Sequence, residues 1–335
     1  MRKSHNILTL LFLATFILLL PSCKANKQTT DEGSTATVQF NVPTFCEDSA
    51  MVYCNDQCSF GPRTMNSDAH EKCKDWIIAK FKQFGCEVTT QEADLKGWDG
   101  TTLRSTNIIA SLNKGVTPRV LICAHWDSRP WADNDPDESN HKKPVMAAND
   151  GASGVAVMLE LARVAGDSLG IDFVCFDAED YGNSDIEESW ALGAQHFAQL
   201  CANAEPGSDL HNLRSSLSAA ILLDMVGGQG AKFYQEGFSM HFASNIVADV
   251  WQAASDAGYG SFFPNETGGT ITDDHKPLND IGIPTIDIIA YYPDCEQSGF
   301  GPTWHTVSDD MQHLDKNTLK AVGQTLMQYI ITHRQ

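Results

Sequence analysis

Short clusters of acids and histidines follow several of the most apolar segments of this 335-residue sequence. Such segments predict the buried strands of an α/β sheet, and ligands bind in the crevice beyond the carboxyl ends of those strands. A surface that only keeps a protein soluble would mix Lys and Arg among the acids. The residues that we expect to converge at this edge are His125, Asp127, Asp177, Glu179, Asp180, Asp224 and His305.

Carboxylate and imidazole groups without a thiolate suit a catalytic zinc ion, which has three protein ligands and one open position. A further carboxylate beside such a metal could transfer a proton. Asp150 lies just before a predicted helix, and by itself this position favours a helix cap. Residue types therefore predict a metal site of this kind, but they leave the role of Asp150 open.

Alternating helices and strands are needed to bring these residues together. Hydrophobic periodicity indicates one α/β domain, with a central, mostly parallel twisted sheet that is covered by helices on both faces. We find no second linker and no internal repeat in residues 45–335, which we assign to one catalytic domain. The predicted helices are residues 68–84, 153–164, 189–202, 240–257 and 315–333, and the predicted strands are residues 86–92, 106–112, 119–124, 171–176, 219–225 and 283–290.

Residues 1–22 have the pattern of an export signal. Two basic residues, an apolar run at residues 7–20 and the sequence Leu-Pro-Ser-Cys at 20–23 follow one another. The run is too short for the ~20 residues of a membrane span. Because Cys23 looks like the lipid-attachment site of bacterial lipoproteins, we expect a periplasmic lipoprotein on the inner or outer membrane. The alternative is an ordinary signal in which Cys23 is incidental. Residues 23–44 are polar and predict a disordered tether.

The net charge of −20 argues against nucleic acid and anionic lipid as partners. We therefore expect membrane contact only through lipid on Cys23, and a monomer.

Nine further cysteines remain, an odd number for an exported protein. Cys123 and Cys175 lie in apolar strands and are expected to be buried. A loop-like stretch with Cys46, Cys54 and Cys58 could hold a disulfide or a metal, and a structural role is favoured.

Six motifs occur in a fixed order between residues 119 and 315. They are Ala-His-Trp-Asp-Ser at 124–128, Asn-Asp-Gly-Ala-Ser-Gly at 149–154, Phe-Asp-Ala-Glu-Asp at 176–180, Leu-Leu-Asp-Met-Val-Gly at 222–227, Asp-Asp-His at 273–275 and Trp-His-Thr at 304–306. Together they resemble the zinc aminopeptidase-like fold and, within it, the bacterial branch of the glutaminyl-peptide cyclotransferases, or glutaminyl cyclases. This resemblance covers most of the chain beyond the tether.

The resemblance implies one Zn²⁺ per chain, held by Asp150, Asp180 and His305. It also implies that Glu179 acts as the general acid and base. Position 180 is Asp where animal cyclases and the related peptidases have Glu, so this ligand is one methylene shorter. By the same resemblance, Asp224 and Asp273 are acids that hydrogen-bond around Glu179, and Trp304, Trp190, Phe300 and Trp126 form the substrate pocket, although the loop before Trp190 differs in length.

The implied reaction converts the N-terminal Gln of peptides and proteins to pyroglutamate. The α-amine attacks the γ-amide carbon of the same residue, and ammonia leaves. Zinc suits the oxyanion that develops, while Glu179 can accept a proton from the amine and return it to the leaving nitrogen. Because Glu179, Asp224 and Asp273 would lie close together, we expect them to share a proton.

Two other functions remain open at the level of sequence. One is a dinuclear zinc aminopeptidase, in which His125 and Asp224 match the additional ligands. Trp304 and Trp126, each next to a histidine of the site, favour the cyclase because they leave little room for a hydrated pair of metals. The other is a non-catalytic peptide-binding lipoprotein. Relatives of that kind usually lose metal ligands, whereas this sequence retains all three.

Overall fold

A six-stranded sheet runs through the part of the chain that a computed structural model describes, residues 40–333. The sheet has the order β1-β2-β4-β3-β5-β6. Neighbours among β4, β3, β5 and β6 pair in parallel, whereas β1 and β2 form antiparallel pairs at one side. The strands are β1 (Glu87–Lys96), β2 (Thr102–Leu112), β3 (Arg119–His125), β4 (Gly170–Phe176), β5 (Leu217–Asp224) and β6 (Thr285–Ile289).

Burial along the strands explains this arrangement. Every residue of β3 and β4 is buried, as expected for central strands that are covered on both faces. Strand β1 has no buried residue, and its side chains alternate between exposed and partly buried positions, which suits an edge. The prediction of a mostly parallel sheet is therefore confirmed: β4, β3, β5 and β6 pair in parallel. Strands β1 and β2 form an antiparallel hairpin at one side of it.

Helices cover both faces of the sheet. Five of them, α1, α2, α3, α6 and α8, contribute to the larger apolar core, while α4, α5 and α7 pack on the opposite face around Phe197, Leu213 and Leu278. Their bounds are α1 (Glu47–Ser59), α2 (Asp68–Gln83), α3 (Ala152–Val164), α4 (Leu192–Ala202), α5 (Asp209–Ser216), α6 (Gly237–Asp256), α7 (His275–Asp280) and α8 (Lys316–Thr332).

Capping side chains set several helix ends. Ser67 accepts a hydrogen bond from the backbone N–H of His70 at the start of α2, and Asp315 accepts one from Asn317 at the start of α8. Gly85 follows α2 with a φ of +89°, a conformation that terminates helices. These local signals account for the close agreement between predicted and observed bounds of α2 and α8.

Several predicted segments differ from the structure. The strand predicted at residues 86–92 extends to Lys96, the one predicted at 106–112 begins at Thr102, and the helix predicted at 240–257 begins at Gly237. The stretch with Cys54 and Cys58 is not a loop but helix α1, and all nine cysteines of the described residues are free thiols. Cys123 and Cys175 are buried, as predicted. The helix predicted at residues 189–202 begins only at Leu192, because Ala191 takes a left-handed conformation with a φ of +55°.

The folded part begins before residue 45, where the tether was predicted to end. Phe40 and Val42 pack against the main core, and the side chain of Gln324 in α8 donates a hydrogen bond to the carbonyl oxygen of Pro43. Within residues 40–333, none of the helices has the length and apolar character to span a bilayer. The predicted signal at residues 1–22 and Cys23 lie outside the described residues.

Candidate active site

The carboxyl ends of β3, β4 and β5 meet at one edge of the sheet, and the predicted side chains lie there. His125 ends β3, Asp224 ends β5, and the segment Asp177–Asp180 follows β4 directly. Asp150 precedes α3, and His305 lies in the segment between β6 and α8. Parallel strands therefore deliver residues that are far apart in the sequence to one place.

Asp150, Asp180 and His305 form the first cluster that could hold a metal ion. One ligand atom from each lies within 4.8 Å of the others, and all three residues are buried. Nε2 of His305 is 3.1 Å from Oδ1 of Asp180 and 3.6 Å from Oδ2 of Asp150. The shorter side chain at position 180 thus reaches the cluster.

The chemistry of Asp180 fits a cation. Both of its carboxylate oxygens are buried, and neither accepts a hydrogen bond within the described part of the chain. An ionised carboxylate in such a place is costly unless charge compensates it, and the guanidinium of Arg129, with Nη1 3.6 Å from Oδ1 of Asp180, supplies one positive charge. Carboxylate oxygen and imidazole nitrogen are ligands that zinc uses, so the residues present match the expected metal.

His125, Asp150 and Asp224 form a second cluster of the same kind. Nε2 of His125 lies 2.9 Å from Oδ1 of Asp150 and 3.4 Å from Oδ1 of Asp224. The two clusters share Asp150, whose two oxygens face different histidines. A carboxylate in this position can bridge two metal ions, which is the arrangement that a dinuclear site requires.

Two acids hold the loops that carry these ligands. The carboxylate of Asp127 accepts hydrogen bonds from the backbone N–H groups of Glu179 and Asp180, at 3.1 and 3.2 Å. Asp309 accepts from the backbone N–H groups of Asn149 and Asp150, at 2.8 and 3.0 Å. The sequence reasoning placed Asp127 at the site without a role and missed Asp309, whose position four residues after His305 was the available signal.

Backbone strain accompanies the site. Ala178, Met225 and His305 have φ values of +55°, +49° and +54°, a region that non-glycine residues rarely occupy. Each lies in or directly beside one of the predicted motifs. Gly151, with a φ of +100°, has no room for a side chain, since a Cβ atom there would lie 2.9 Å from the carbonyl oxygen of Asp127. Strain of this kind is concentrated at functional sites.

A cleft of about 360 Å³ opens above the two clusters. Besides Asp150 and His305, its lining includes three predicted acids and three predicted aromatic residues, together with the rim residues Ser184, Glu187 and Thr272. The predicted residues in the lining are Glu179, Asp224, Asp273, Trp190, Phe300 and Trp304.

Aromatic rings form the walls of the cleft. The ring of Trp304 stacks on His305 with centroids 3.8 Å apart, and Phe300 lies 4.9 Å from Trp304. Trp190 is nearly parallel to His305 at 6.0 Å. The rings therefore present flat apolar surfaces beside the imidazole of the first cluster.

Trp126 is not part of this cleft, contrary to the prediction. Its side chain is fully buried, stacks on His70 at 4.1 Å and donates a hydrogen bond to the carbonyl oxygen of Thr106. Successive side chains at the end of a strand point to opposite faces, so the residue after His125 faces the core. Trp126 stabilises the fold beneath the site and does not contact the cleft.

The acids of the cleft hold protons more strongly than free carboxyls do. Burial raises the pKa of Glu179 well above its ordinary value, with the charges of Asp180 and Asp273 adding to the rise and that of His125 opposing it. Burial also raises the pKa of Asp224 to about 8, against the hydrogen bond of His125, and the neighbouring charge of Asp273 adds to this. The pKa of Asp273 is raised as well, chiefly by burial. Crowded acids of this kind retain protons among themselves.

Residues 107–330 match peptidase family M28, more than half of the chain. The chain belongs to this family. Among curated proteins it is similar to a glutaminyl-peptide cyclotransferase of Bos taurus, at 24% identity over 68% of this chain and 66% of the relative. It is also similar to an aminopeptidase of Bacillus subtilis, at 28% identity over 82% of this chain and 54% of the relative. The chain thus spans about two thirds of the length of the first relative and about half of the length of the second.

Several solved structures are more similar to this chain. A glutaminyl cyclase from Bacteroides thetaiotaomicron has 47% identity and a TM-score of 0.80, over 88% of this chain and 100% of that chain. A protein from the same organism described as a leucine aminopeptidase precursor has 46% identity, the same TM-score and the same coverage. The fold and the family are therefore established, and both activities occur among the names of its neighbours.

Proposed function

We propose that this chain is a glutaminyl-peptide cyclotransferase, which converts the N-terminal Gln of peptides and proteins to pyroglutamate and releases ammonia. The observation that carries the proposal is the composition of one cleft: Glu179, two of the three ligands of the first cluster and three aromatic walls face the same space. High identity to a solved glutaminyl cyclase over nearly the whole described chain supports it.

We assign Asp150, Asp180 and His305 as the ligands of one zinc ion per chain. The chemistry that zinc supplies when bound is Lewis acidity toward a carbonyl oxygen, which suits the γ-amide of the substrate. Side chains of the protein position the substrate. The faces of Trp190, Trp304 and Phe300 can hold a Gln side chain folded toward its own amine, and a near-attack conformation of this kind removes much of the entropic barrier.

Glu179 is suited to move the proton. Cyclisation takes a proton from the attacking amine and gives one to the departing nitrogen, so one carboxyl must act first as a base and then as an acid. A pKa raised above the usual carboxyl range brings that group closer to neutral pH, where both steps are feasible. Asp224 and Asp273 line the same cleft, and their charges keep the proton within the group.

A dinuclear aminopeptidase is the second candidate, and one observation favours it. His125, Asp150 and Asp224 form a further cluster that shares Asp150 with the first. An enzyme with two metals and a bridging water would hydrolyse peptide bonds at the N-terminus. The aromatic walls beside His305 favour the cyclase, because they make the cleft apolar on that side.

Two matched peptides that differ only in their first residue, Gln or Leu, distinguish these functions. We expect the Gln peptide to lose one ammonia and retain all its residues in mass spectrometry, and the Leu peptide to remain intact. Release of free Leu, with no ammonia from the Gln peptide, would establish the aminopeptidase instead.

Metal content gives an independent readout of the same question. We expect that His125→Asn leaves the number of zinc ions per chain unchanged, because His125 belongs only to the second cluster. A loss of one zinc ion relative to the unsubstituted chain would indicate a dinuclear site.

We also propose that the protein is exported, carries lipid on Cys23 and acts as a monomer at the periplasmic side of a membrane. The sequence Leu-Pro-Ser-Cys at 20–23 after an apolar run supports this. Metabolic labelling with a fatty acid tests it: we expect label in the unsubstituted chain and none in Cys23→Ser.

A further inference from the structure

A third group of buried ionisable side chains lies next to the cleft. One ligand atom each from Asp273, His275 and Asp287 lies within 4.8 Å of the others. Asp273 lies two residues before His275, which is the first residue of the short helix α7, and Asp287 is in the middle of β6. Their exposed fractions are 4%, 0% and 0%, so solvent does not screen their charges.

The acids of this group have few partners. Neither carboxylate oxygen of Asp287 accepts a hydrogen bond from any described residue, and the same holds for Oδ2 of Asp273. Asp274, fully buried beside them, likewise has no donor for either oxygen in the described part of the chain. Buried carboxylates that lack donors must be compensated by protons or by a cation. These unpartnered oxygens are what distinguishes the group from an ordinary acidic patch.

The hydrogen bonds of Glu236 define how His275 is oriented. The Glu236 carboxylate accepts hydrogen bonds from the backbone N–H groups of Phe238, Ser239 and Ile271, at 2.8, 2.7 and 3.0 Å. Donors of this number keep it ionised, so it must also be the acceptor for Nε2 of His275, which lies 3.1 Å away. His275 therefore donates Nε2–H to Glu236, and Nδ1 is the ring nitrogen that can take up a proton or a metal ion.

Nδ1 of His275 faces the acids of this group. This atom makes no hydrogen bond with any described residue, and the nearest oxygen of Asp287 is 3.9 Å away, too far for one. Nδ1 and the carboxylate of Asp287 need a cation between them, either a proton on Nδ1 or a metal ion. In metal-binding histidines one ring nitrogen commonly donates to a carboxylate while the other binds the metal. Glu236 and His275 have this arrangement, with Nε2 beside the carboxylate and Nδ1 on the other side of the ring.

We propose that Asp273, His275 and Asp287 bind a divalent metal ion at a site separate from the two clusters that share Asp150. One imidazole nitrogen with two carboxylates suits zinc or manganese better than calcium or magnesium, which prefer oxygen ligands alone. The site borders the cleft because Asp273 lines it, and the ion can enter from there. This inference does not depend on which reaction the cleft catalyses.

Metal content in a background without the Asp150 clusters tests the proposal. Asp150→Asn removes the ligand that both of those clusters share. After removal of metals by chelator and dialysis against Zn²⁺, and in parallel against Mn²⁺, we expect about one bound ion per chain in this variant. Adding Asp287→Asn should abolish that ion, whereas adding Asp280→Asn should leave it in place, because Asp280 is an exposed acid that pairs with Lys276.

The competing explanation is that the buried acids share protons and bind no metal. In that case Asp150→Asn retains no ion under either dialysis condition, and Asp287→Asn, which removes one buried charge, unfolds at the same or a higher temperature. Either result overturns the proposal.

A variant that fails to fold does not prevent the test. The thermal midpoint of Asp150→Asn alone should rise on addition of Zn²⁺ or Mn²⁺ after chelation, because a ligand that binds only the folded state stabilises it. A midpoint that does not respond to either ion contradicts the site.

Discussion

Glu179 lines the aromatic cleft together with the acids Asp224 and Asp273 and with two ligands of the first cluster, Asp150 and His305. We expect Glu179→Gln to lower kcat by roughly 10² to 10⁴, the usual contribution of a positioned proton-transfer group. The amide keeps the size of the side chain but cannot move the proton. Zinc content should remain unchanged, because Glu179 belongs to neither cluster. Kinetics combined with metal analysis checks both parts, and a variant with full activity would show that another group moves the proton.

Trp126 and Trp304 have opposite roles although each lies next to a histidine of the site. Trp304→Ala removes a wall of the cleft, so we expect KM to rise about tenfold, equivalent to ~1.4 kcal/mol of lost binding. Trp126→Phe leaves the carbonyl oxygen of Thr106 without its donor and should lower the free energy of unfolding by about 1–3 kcal/mol. KM should not change in Trp126→Phe. Urea denaturation and steady-state kinetics on both variants separate these effects. A changed KM in Trp126→Phe would show that Trp126 does contact the cleft.

Residue types at strand ends predicted Glu179, Asp224 and His305, whereas Asp150, Asp273 and the aromatic walls were predicted from the family resemblance. Neither route revealed the residues that support the cleft. Trp126 was misplaced because adjacency in sequence was taken as adjacency in space, and the alternation of side chains at the end of β3 reverses that inference. Asp309 was missed because its role is to accept two backbone N–H groups of a loop 160 residues earlier. The position of Asp309, four residues after His305, indicates that it lies near the site, but no local pattern encodes the contact with that loop.

Helices were predicted well where capping and apolar periodicity agreed, as in α2 and α8. Helix α1 has a regular buried stripe, Ala50, Tyr53, Cys54, Gln57 and Cys58, at helical spacing. The stripe does not stand out as an apolar pattern because it contains Gln57, and its cysteines suggested a disulfide or a metal site. In the structure these side chains face the core. Gln57 satisfies its amide by donating to the carbonyl oxygens of Tyr53 and Ala152. Helices α5 and α7, of eight and six residues, are too short for periodicity to be visible.

The start of helix α6 makes stability depend on pH. Burial alone would raise the pKa of its cap Glu236, but the hydrogen bond and charge of His275, together with the N–H groups of Ser239 and Phe238, lower it to about 2. Because the folded-state pKa lies below the unfolded value of 4.5, this stabilisation is complete above pH ~4.5 and is lost as the pH falls toward 2.

We therefore expect Glu236→Gln to be less stable than the unsubstituted chain by about 3 kcal/mol at pH 7, and by much less near pH 3. Urea denaturation over this pH range, with chelator present so that metal binding does not contribute, measures the difference. The exposed Glu205→Gln is the matched control and should show no effect at either pH. A destabilisation of Glu236→Gln that stays constant with pH would mean that packing, and not ionisation, is responsible.

At the scale of the whole molecule, the first folded residues and the last helix depend on each other. Phe45 is fully buried, its backbone N–H donates to the side chain of Gln324, and Lys320 donates to its carbonyl oxygen. Gly323 in α8 lies directly beneath the ring: a Cβ atom there would lie 2.2 Å from the Phe45 ring. Packing of this segment, which extends back to Phe40, is why the folded part begins earlier than composition predicted.

This contact predicts that Gly323→Ala lowers the free energy of unfolding when Phe45 is present and raises it when Phe45 is replaced by Ala. Gly323→Ala in the full chain should destabilise the protein by about 1–3 kcal/mol, because the methyl group collides with a ring that has no room to move. Phe45→Ala alone should cost about 3–5 kcal/mol through the cavity it leaves. In the Phe45→Ala background the collision is gone, and the higher helix propensity of Ala should make Gly323→Ala stabilising, by up to ~1 kcal/mol. Urea unfolding of the four proteins of this double-mutant cycle measures the coupling. Equal effects of Gly323→Ala in both backgrounds would show that the N-terminal segment does not pack on α8 in solution.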